Sequence, residues 1–340
     1  MRSPDHRRTP LSIRLGVTLA AILLAATTLH AKDESWPRYK DPEDGKFDMS
    51  GSLLDRQGFL PVPNVITEPA VGGFGLGVAL AFFHGKKHEG GTLTEEQIEE
   101  AERRPPSVSA VAGMYTANDS WMIGGGHFGS WKQDRIRYSG ALGYASINLD
   151  YYVGEQPLGF NIEGVFLLQE GLARIRKSNW FAGGRFTYLN NKVKFDFEQE
   201  IPYVEDDAFD SADSGLGAVL MYDSRDNIFT PDRGQHARIQ FTAYDEAIGG
   251  DFDYRALDLT ATTYHTLGDG IVLGAHFKGD VSNGDPPFYA LPYIHLRGVA
   301  ALRYQGLRSG SLEVEGRFRV AGRWIRGVVR VSIHVTPIRG

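Results

Sequence analysis

The chain of 340 residues has no cysteine, which excludes a disulfide framework, a thiol nucleophile and thiolate metal sites. Catalytic signatures are missing as well: there is no G-x-S-x-G elbow, no G-x-x-x-x-G-K-[ST] phosphate loop and no H-E-x-x-H pair. Gly124, Gly125 and Gly126 sit inside an alternating segment with no helix pattern after them, so they do not read as a phosphate-binding turn. His84 and His88 are four residues apart, but Gly85 between them argues against a helix presenting both to a metal, and solvated loop histidines are expected. No catalytic, cofactor-binding or metal-binding residue is therefore expected, and the chain does not read as an enzyme.

Long apolar runs are equally scarce. The uncharged stretch Leu15–Leu29 follows Arg2, Arg7, Arg8 and Arg14 and precedes the small residue Ala31. It is short for a helical span of about 20 residues, and its basic start, apolar middle and small-residue end are those of a secretory signal peptide, assigned to residues 1–31. No later run of 18 apolar residues exists, which excludes a helical membrane bundle. Removing residues 1–31 takes away four arginines and one aspartate, leaving 32 basic and 41 acidic groups and a net charge of −9. No nucleic-acid partner is expected at that charge.

What is present is alternation. A membrane barrel hides its hydrophobicity because half of each strand faces a polar lumen, so the mean hydropathy of −0.27 is compatible with one. Phe74, Leu76, Val78, Leu80 and Phe82 share one parity against Gly75, Gly77, Ala79 and Ala81. Further strands are expected at 108–117, 121–131, 136–153, 160–172 and 180–188. A separate one has Val193, Phe195 and Phe197 toward lipid and Lys192, Lys194, Asp196 and Glu198 toward the lumen. Others follow at 234–245, 252–266, 271–281, 311–320 and 323–335, for about 13 strands at hairpin-like spacing. The expected fold class is an all-β transmembrane antiparallel barrel over 69–335, behind a polar periplasmic leader at 32–68 whose Pro-rich end, Phe59–Pro69, reads as an extended lead-in. On this count the three long loops, 85–106, 202–213 and 282–298, fall on connections 1, 7 and 11, all on one side, as outer-membrane barrels arrange them.

The most informative stretch is Tyr222–Gly234, YDSRDNIFTPDRG. Asp223, Asp226 and Asn227 can each close an Asx-type turn, Pro231 fixes φ, and Gly234 supplies a permissive backbone where the next strand begins. Arg225 sits between the acidic residues. Leu216, Ala218, Leu220 and Tyr222 before the turn, and Ala237, Ile239, Phe241 and Ala243 after it, form one face opposite His236, Arg238, Gln240 and Thr242. Sixty-two residues beyond Gly234 comes Leu296-Arg297-Gly298, then R-Y-Q-G and the E-x-E of Glu313 and Glu315.

In this order the motifs resemble the barrel of the BamA/TamA outer-membrane assembly family, the bacterial surface antigen family, over 69–324. The resemblance implies a sixteen-stranded barrel whose eleventh connection folds into the lumen, its arginine held by acidic side chains. Here that arginine would be Arg297, with Glu313 and Glu315 as partners, and YDSRDNIFTPDRG would be a periplasmic turn between the eighth and ninth strands. The resemblance further implies the outer membrane of a Gram-negative bacterium, with the lipid bilayer and other outer-membrane proteins as partners and assembly or translocation as the activity.

Two departures bear on that expectation. The leader is too short for the periplasmic modules that typical assembling members carry, which leaves a passive channel or structural envelope barrel as the alternative. At the far end, strands 14 to 16 of the family pattern are missing. The expectation is a truncated or frame-shifted product, or a sheet completed by another chain.

Overall fold

The computed structural model describes residues 58–84, 105–153, 156–196, 208–321 apart from single positions 229, 269 and 297, and 324–336. They form one antiparallel sheet of 13 strands, each paired with its sequence neighbours. The strands are β1 (Gly58–Ile66), β2 (Gly75–His84), β3 (Ser107–Thr116), β4 (Trp121–Trp131), β5 (Ile136–Val153), β6 (Gln156–Arg174), β7 (Trp180–Phe195), β8 (Ala208–Asp223), β9 (Gly234–Tyr244), β10 (Tyr254–Thr266), β11 (Ile271–Gly284), β12 (Arg308–Ala321) and β13 (Trp324–Thr336). No helix among the described residues is long and apolar enough to cross a membrane.

The strand count agrees with the sequence expectation through two compensating differences. Gly58–Ile66, expected as a lead-in, is β1 and pairs residue by residue with β2. Its prolines suggested a non-strand, but an edge strand tolerates them. Pro61 and Pro63 are two apart, so both missing N–H groups fall on one side of the strand. The ladder to β2 runs unbroken from Gly58 to Ile66, which puts that side on the free edge. Conversely, the segments expected as two strands around Asn190-Asn191 are one strand, β7.

The first difference moves the loop parity. The segment 85–106 connects β2 to β3 and is connection 2, on the side of the 224–233 turn, whereas 196–207 and 285–307 are connections 7 and 11 on the other side. We call these the turn end and the loop end of the barrel.

The outward face carries the membrane signal. Leu76, Val111, Ile123, Leu142, Leu216, Ile239 and Phe241 are exposed on it, and aromatic rings bound this belt at both ends. Trp121 stacks on Tyr144 at the loop end; Trp131 stacks on Tyr138 and Trp180 packs on Tyr222 at the turn end. Ten residues separate the two tryptophans on β4 and six separate the two tyrosines on β5, about 33 and 20 Å of strand. At a tilt of about 40° this is a belt of about 15–25 Å, the height of an outer-membrane apolar band.

Beyond the loop-end girdle the polarity of β5–β7 inverts. Inward positions become apolar (Leu149, Tyr151, Phe160, Ile162, Val193), while outward positions become polar, with Lys192 and Lys194 exposed. The sequence expectation placed Val193 and Phe195 toward lipid and the two lysines in the lumen; the structure reverses it. The reason is length. At 18 and 19 residues, β5 and β6 are nearly twice the roughly 9–11 a span needs, so their upper halves stand in water and bury their apolar side against material inside the barrel.

The two regimes make opposite predictions for one kind of substitution. Leu142→Arg, in the belt, should destabilise the barrel by about 2–4 kcal/mol, and Asp150→Arg, outward on the same strand above the girdle, by no more than about 1 kcal/mol. Urea unfolding in vesicles measures both; equal losses would refute the inversion.

Candidate functional site in the lumen

Two structures occupy the lumen side of the wall. At the loop end, residues 285–307 fold inward. Phe288 meets Phe160, Phe195 and Tyr151 at ring distances of 5.0, 5.4 and 5.2 Å. Leu302 joins Phe160 and Val193 in a buried cluster, and Ile294 is 2% exposed. Polar contacts pin the same segment: Tyr289 and Ser211 share a hydroxyl hydrogen bond of 2.9 Å, and the Gln305 amide donates to the Phe288 carbonyl at 2.9 Å. The Glu68 carboxylate accepts from the Ala301 and Ala70 N–H groups at 3.1 and 3.2 Å, tying the loop to the β1–β2 connection. Asn191, at the junction of the two segments expected as separate strands, faces inward and accepts a hydrogen bond from Ser211.

Leu296 is buried in this segment and Gly298 adopts a left-handed φ of +81°. Arg297 lies outside the described residues. Glu313 and Glu315 lie on β12 at the same parity as Arg317, opposite Leu312, Val314 and Phe318, which are exposed. Arg317 lies 4.0 Å from Glu315 and 3.7 Å from Asp232, and it donates to the carbonyl of Pro231. The E-x-E strand therefore reaches the 224–233 turn, a contact that the spacing of the motifs does not reveal.

At the turn end, three turns are stitched into one plate. The Arg174 N–H donates to the Arg135 carbonyl, joining 132–135 to 175–179, and the Asp223 N–H donates to the Asn179 carbonyl, joining 175–179 to 224–233. Within the last turn, Asp226 Oδ1 accepts from the N–H groups of Asn227, Asp232 and Arg233 at 2.9–3.3 Å, and Asn227 Oδ1 from Thr230 at 3.2 Å. Gly234 has φ +103°, and a Cβ there would sit 2.4 Å from the Ser224 carbonyl oxygen, so only glycine fits.

Beneath the plate lies a buried ion network. Arg137 forks onto Asp134 with Nε at 2.8 Å and Nη2 at 2.7 Å, and its Nη1 reaches Asp223 at 2.8 Å. Arg225 also holds Asp223, at 2.9 and 3.1 Å, and Arg174 also holds Asp134. Phe181, fully buried, packs against two guanidinium groups, 4.2 Å from Arg137 and 4.3 Å from Arg174. Sequence reading found Asp223 and Arg225 through the turn but missed Arg137, Asp134 and Arg174; the 86 residues between Arg137 and Asp223 leave no local trace of their pairing.

These features bear on kinship. Residues 128–292, from the end of β4 into the inward-folded loop, match the Omp85 superfamily domain. No curated protein matches the chain. Among solved structures it is similar to BamA from Haemophilus ducreyi lacking POTRA domains 1–3, at 14% identity and a TM-score of 0.53, covering 98% of this chain and 68% of that one. That likeness shows the fold: an antiparallel β-barrel wall like that of BamA, here with 13 strands and no pairing between β1 and β13 among the described residues.

The matched segment contains the turn, the buried network and the first eight residues of the inward loop, 285–292. Breaking a buried pair on one side leaves uncompensated charge and costs about 3–5 kcal/mol. Arg137→Ala should cost that much, and Arg137→Lys most of it, because an ammonium cannot fork onto Asp134 while reaching Asp223. The denaturation midpoint of the folded band on unheated gels reads the loss, and a midpoint unchanged in both variants would show that the network is not structural.

Proposed function

We propose that this barrel handles other outer-membrane polypeptides, in their assembly or translocation, with the turn end in the periplasm and residues 1–31 directing export. The observation that carries the reading is the outer edge of β1, which has no partner strand among the described residues. In lipid, unpaired backbone groups are costly, and an open strand edge is a template for an incoming extended segment. Over Phe59–Val65 that edge offers donors only at Phe59 and Val65, because Pro61 and Pro63 have none, while all four carbonyls remain. A partner strand is thus attracted but bound with half its donors missing, which suits a seam that forms and releases.

Depleting the protein and quantifying outer-membrane proteins tests the activity. Loss of several of them, with unchanged small-solute permeability of the envelope, is expected. An unchanged profile with altered permeability would sink the assembly role in favour of a passive channel.

Within the same reading Arg297 latches the inward loop through Glu313 or Glu315, as the family resemblance implies. A guanidinium–carboxylate pair shielded from bulk solvent is strong enough to hold such a loop. Arg297→Ala should raise proteolysis within 285–307 while the barrel stays folded; a cleavage rate equal to that of the parent would count against the latch.

A further inference from the structure

The plate of turns encloses a cavity of about 710 Å³, lined by seven cationic and three acidic residues. The balance is more one-sided than that count. Asp134 and Asp223 are engaged by Arg137, Arg174 and Arg225 within the buried network. Asp226 uses Oδ1 on three backbone N–H groups and lies 3.9 Å from Arg233, whose side chain is 70% exposed. Arg135, Arg176 and Lys177 have no carboxylate within 4.0 Å among the described residues, and all three are exposed at the cavity wall. Gln133, Asn179 and Ser224 add neutral polar groups to the lining. This positive pocket belongs to a chain whose net charge is −6.

The backbone holds the cations there against its own preference. Lys132, Gln133 and Asp134 are consecutive residues at φ +53°, +60° and +58°, and Arg176 is at +54°. Each costs about 1–2 kcal/mol outside glycine, and such strain persists where surrounding contacts over-determine it. Here the forked Arg137–Asp134 pair does so, turning the Asp134 carboxylate inward and leaving Arg135 at the opening.

We propose that this cavity binds a phosphate-bearing ligand. Converging guanidinium groups are matched to phosphate oxygens by geometry and charge, and the volume lies within the range of small-ligand sites. Trp131, Tyr138, Trp180 and Tyr222 set the membrane boundary beside these turns, so the phosphate can belong to a phospholipid headgroup or to a soluble molecule. The inference is independent of the assembly role, which concerns the edge of β1.

The test uses the full chain, purified in phosphate-free nonionic detergent for titration with inorganic pyrophosphate, and in nanodiscs of phosphatidylcholine with or without phosphatidylglycerol for measurement of retained lipid. Saturable pyrophosphate binding, or selective retention of phosphatidylglycerol, is expected, weakened at least tenfold by the triple substitution Arg135→Gln, Arg176→Gln and Lys177→Gln and unaffected by Lys278→Gln in the distant lumen. Pyrophosphate alone identifies a soluble ligand and phosphatidylglycerol alone a headgroup; either sustains the site. These are exposed turn positions, and an unchanged denaturation midpoint will show that the triple variant is folded. Binding of neither probe, equal binding by the triple variant, or binding only of a poly-glutamate peptide would overturn the proposal.

Discussion

Inside a bilayer no water is available to satisfy a peptide group, so every backbone N–H and C=O must find its partner in the sheet. That constraint orders the rest of this molecule. It makes each strand pair continuously with its sequence neighbours, and it makes the positions where pairing can stop chemically special. Pro61 and Pro63 lie on β1, an end of the strand order, and lack the very donors that a free edge would leave unsatisfied. The same constraint lapses above the girdle. There β5–β7 are ordinary strands in water, and their stability comes from burying Leu149, Phe160 and Val193 under an inward loop.

Membrane barrels have little apolar core, because their lipid-facing side chains lose nothing by staying outside. The lumen must then be organised by polar contacts. In this chain those contacts are concentrated: Glu170 joins Arg185 and Arg238 across the wall, and Arg137 reaches from β5 to Asp223 on β8. Crossing three strand intervals, the Arg137 bridge fixes the curvature of the wall at the turn end, and Phe181 against two guanidinium groups excludes water from it. In such a shielded setting paired charges interact more strongly than at a surface.

Much of the fold was legible in the sequence because its cause is local. Period-two alternation marked β2, β8, β9 and β12 with their correct faces, since each lies largely within the apolar belt where the alternation has one meaning. It misled at β7, where the same alternation continues past the girdle with its meaning reversed, and no residue type announces the boundary. β1 was missed because proline reads as a strand breaker unless one already knows that the strand is an edge. The site was legible only in part. Asp223, Asp226, Asn227 and Gly234 act through bonds a few residues long and were found, whereas the Arg137–Asp223 bridge and the Arg317–Pro231 contact each join residues 86 apart. Only the folded sheet brings them together.

The two ends of the barrel are also chemically unlike. Connections at the loop end carry Glu68, Asp119, Asp245, Glu246, Asp251, Asp253 and Asp285 against Arg303 among the described residues, whereas the 132–135 and 175–179 turns carry Lys132, Arg135, Arg176 and Lys177 around the single buried Asp134, and the 224–233 turn is balanced, Arg225 and Arg233 against Asp226 and Asp232. Alternation cannot produce this difference, because connections lie outside the strands. Nor does stability require it: exposed charges contribute little, and like charges gathered around one opening repel. A cluster of unpaired cations held by strained backbone is destabilising in isolation, and a ligand carrying negative charge would relieve both the repulsion and the cost of holding the turns in place.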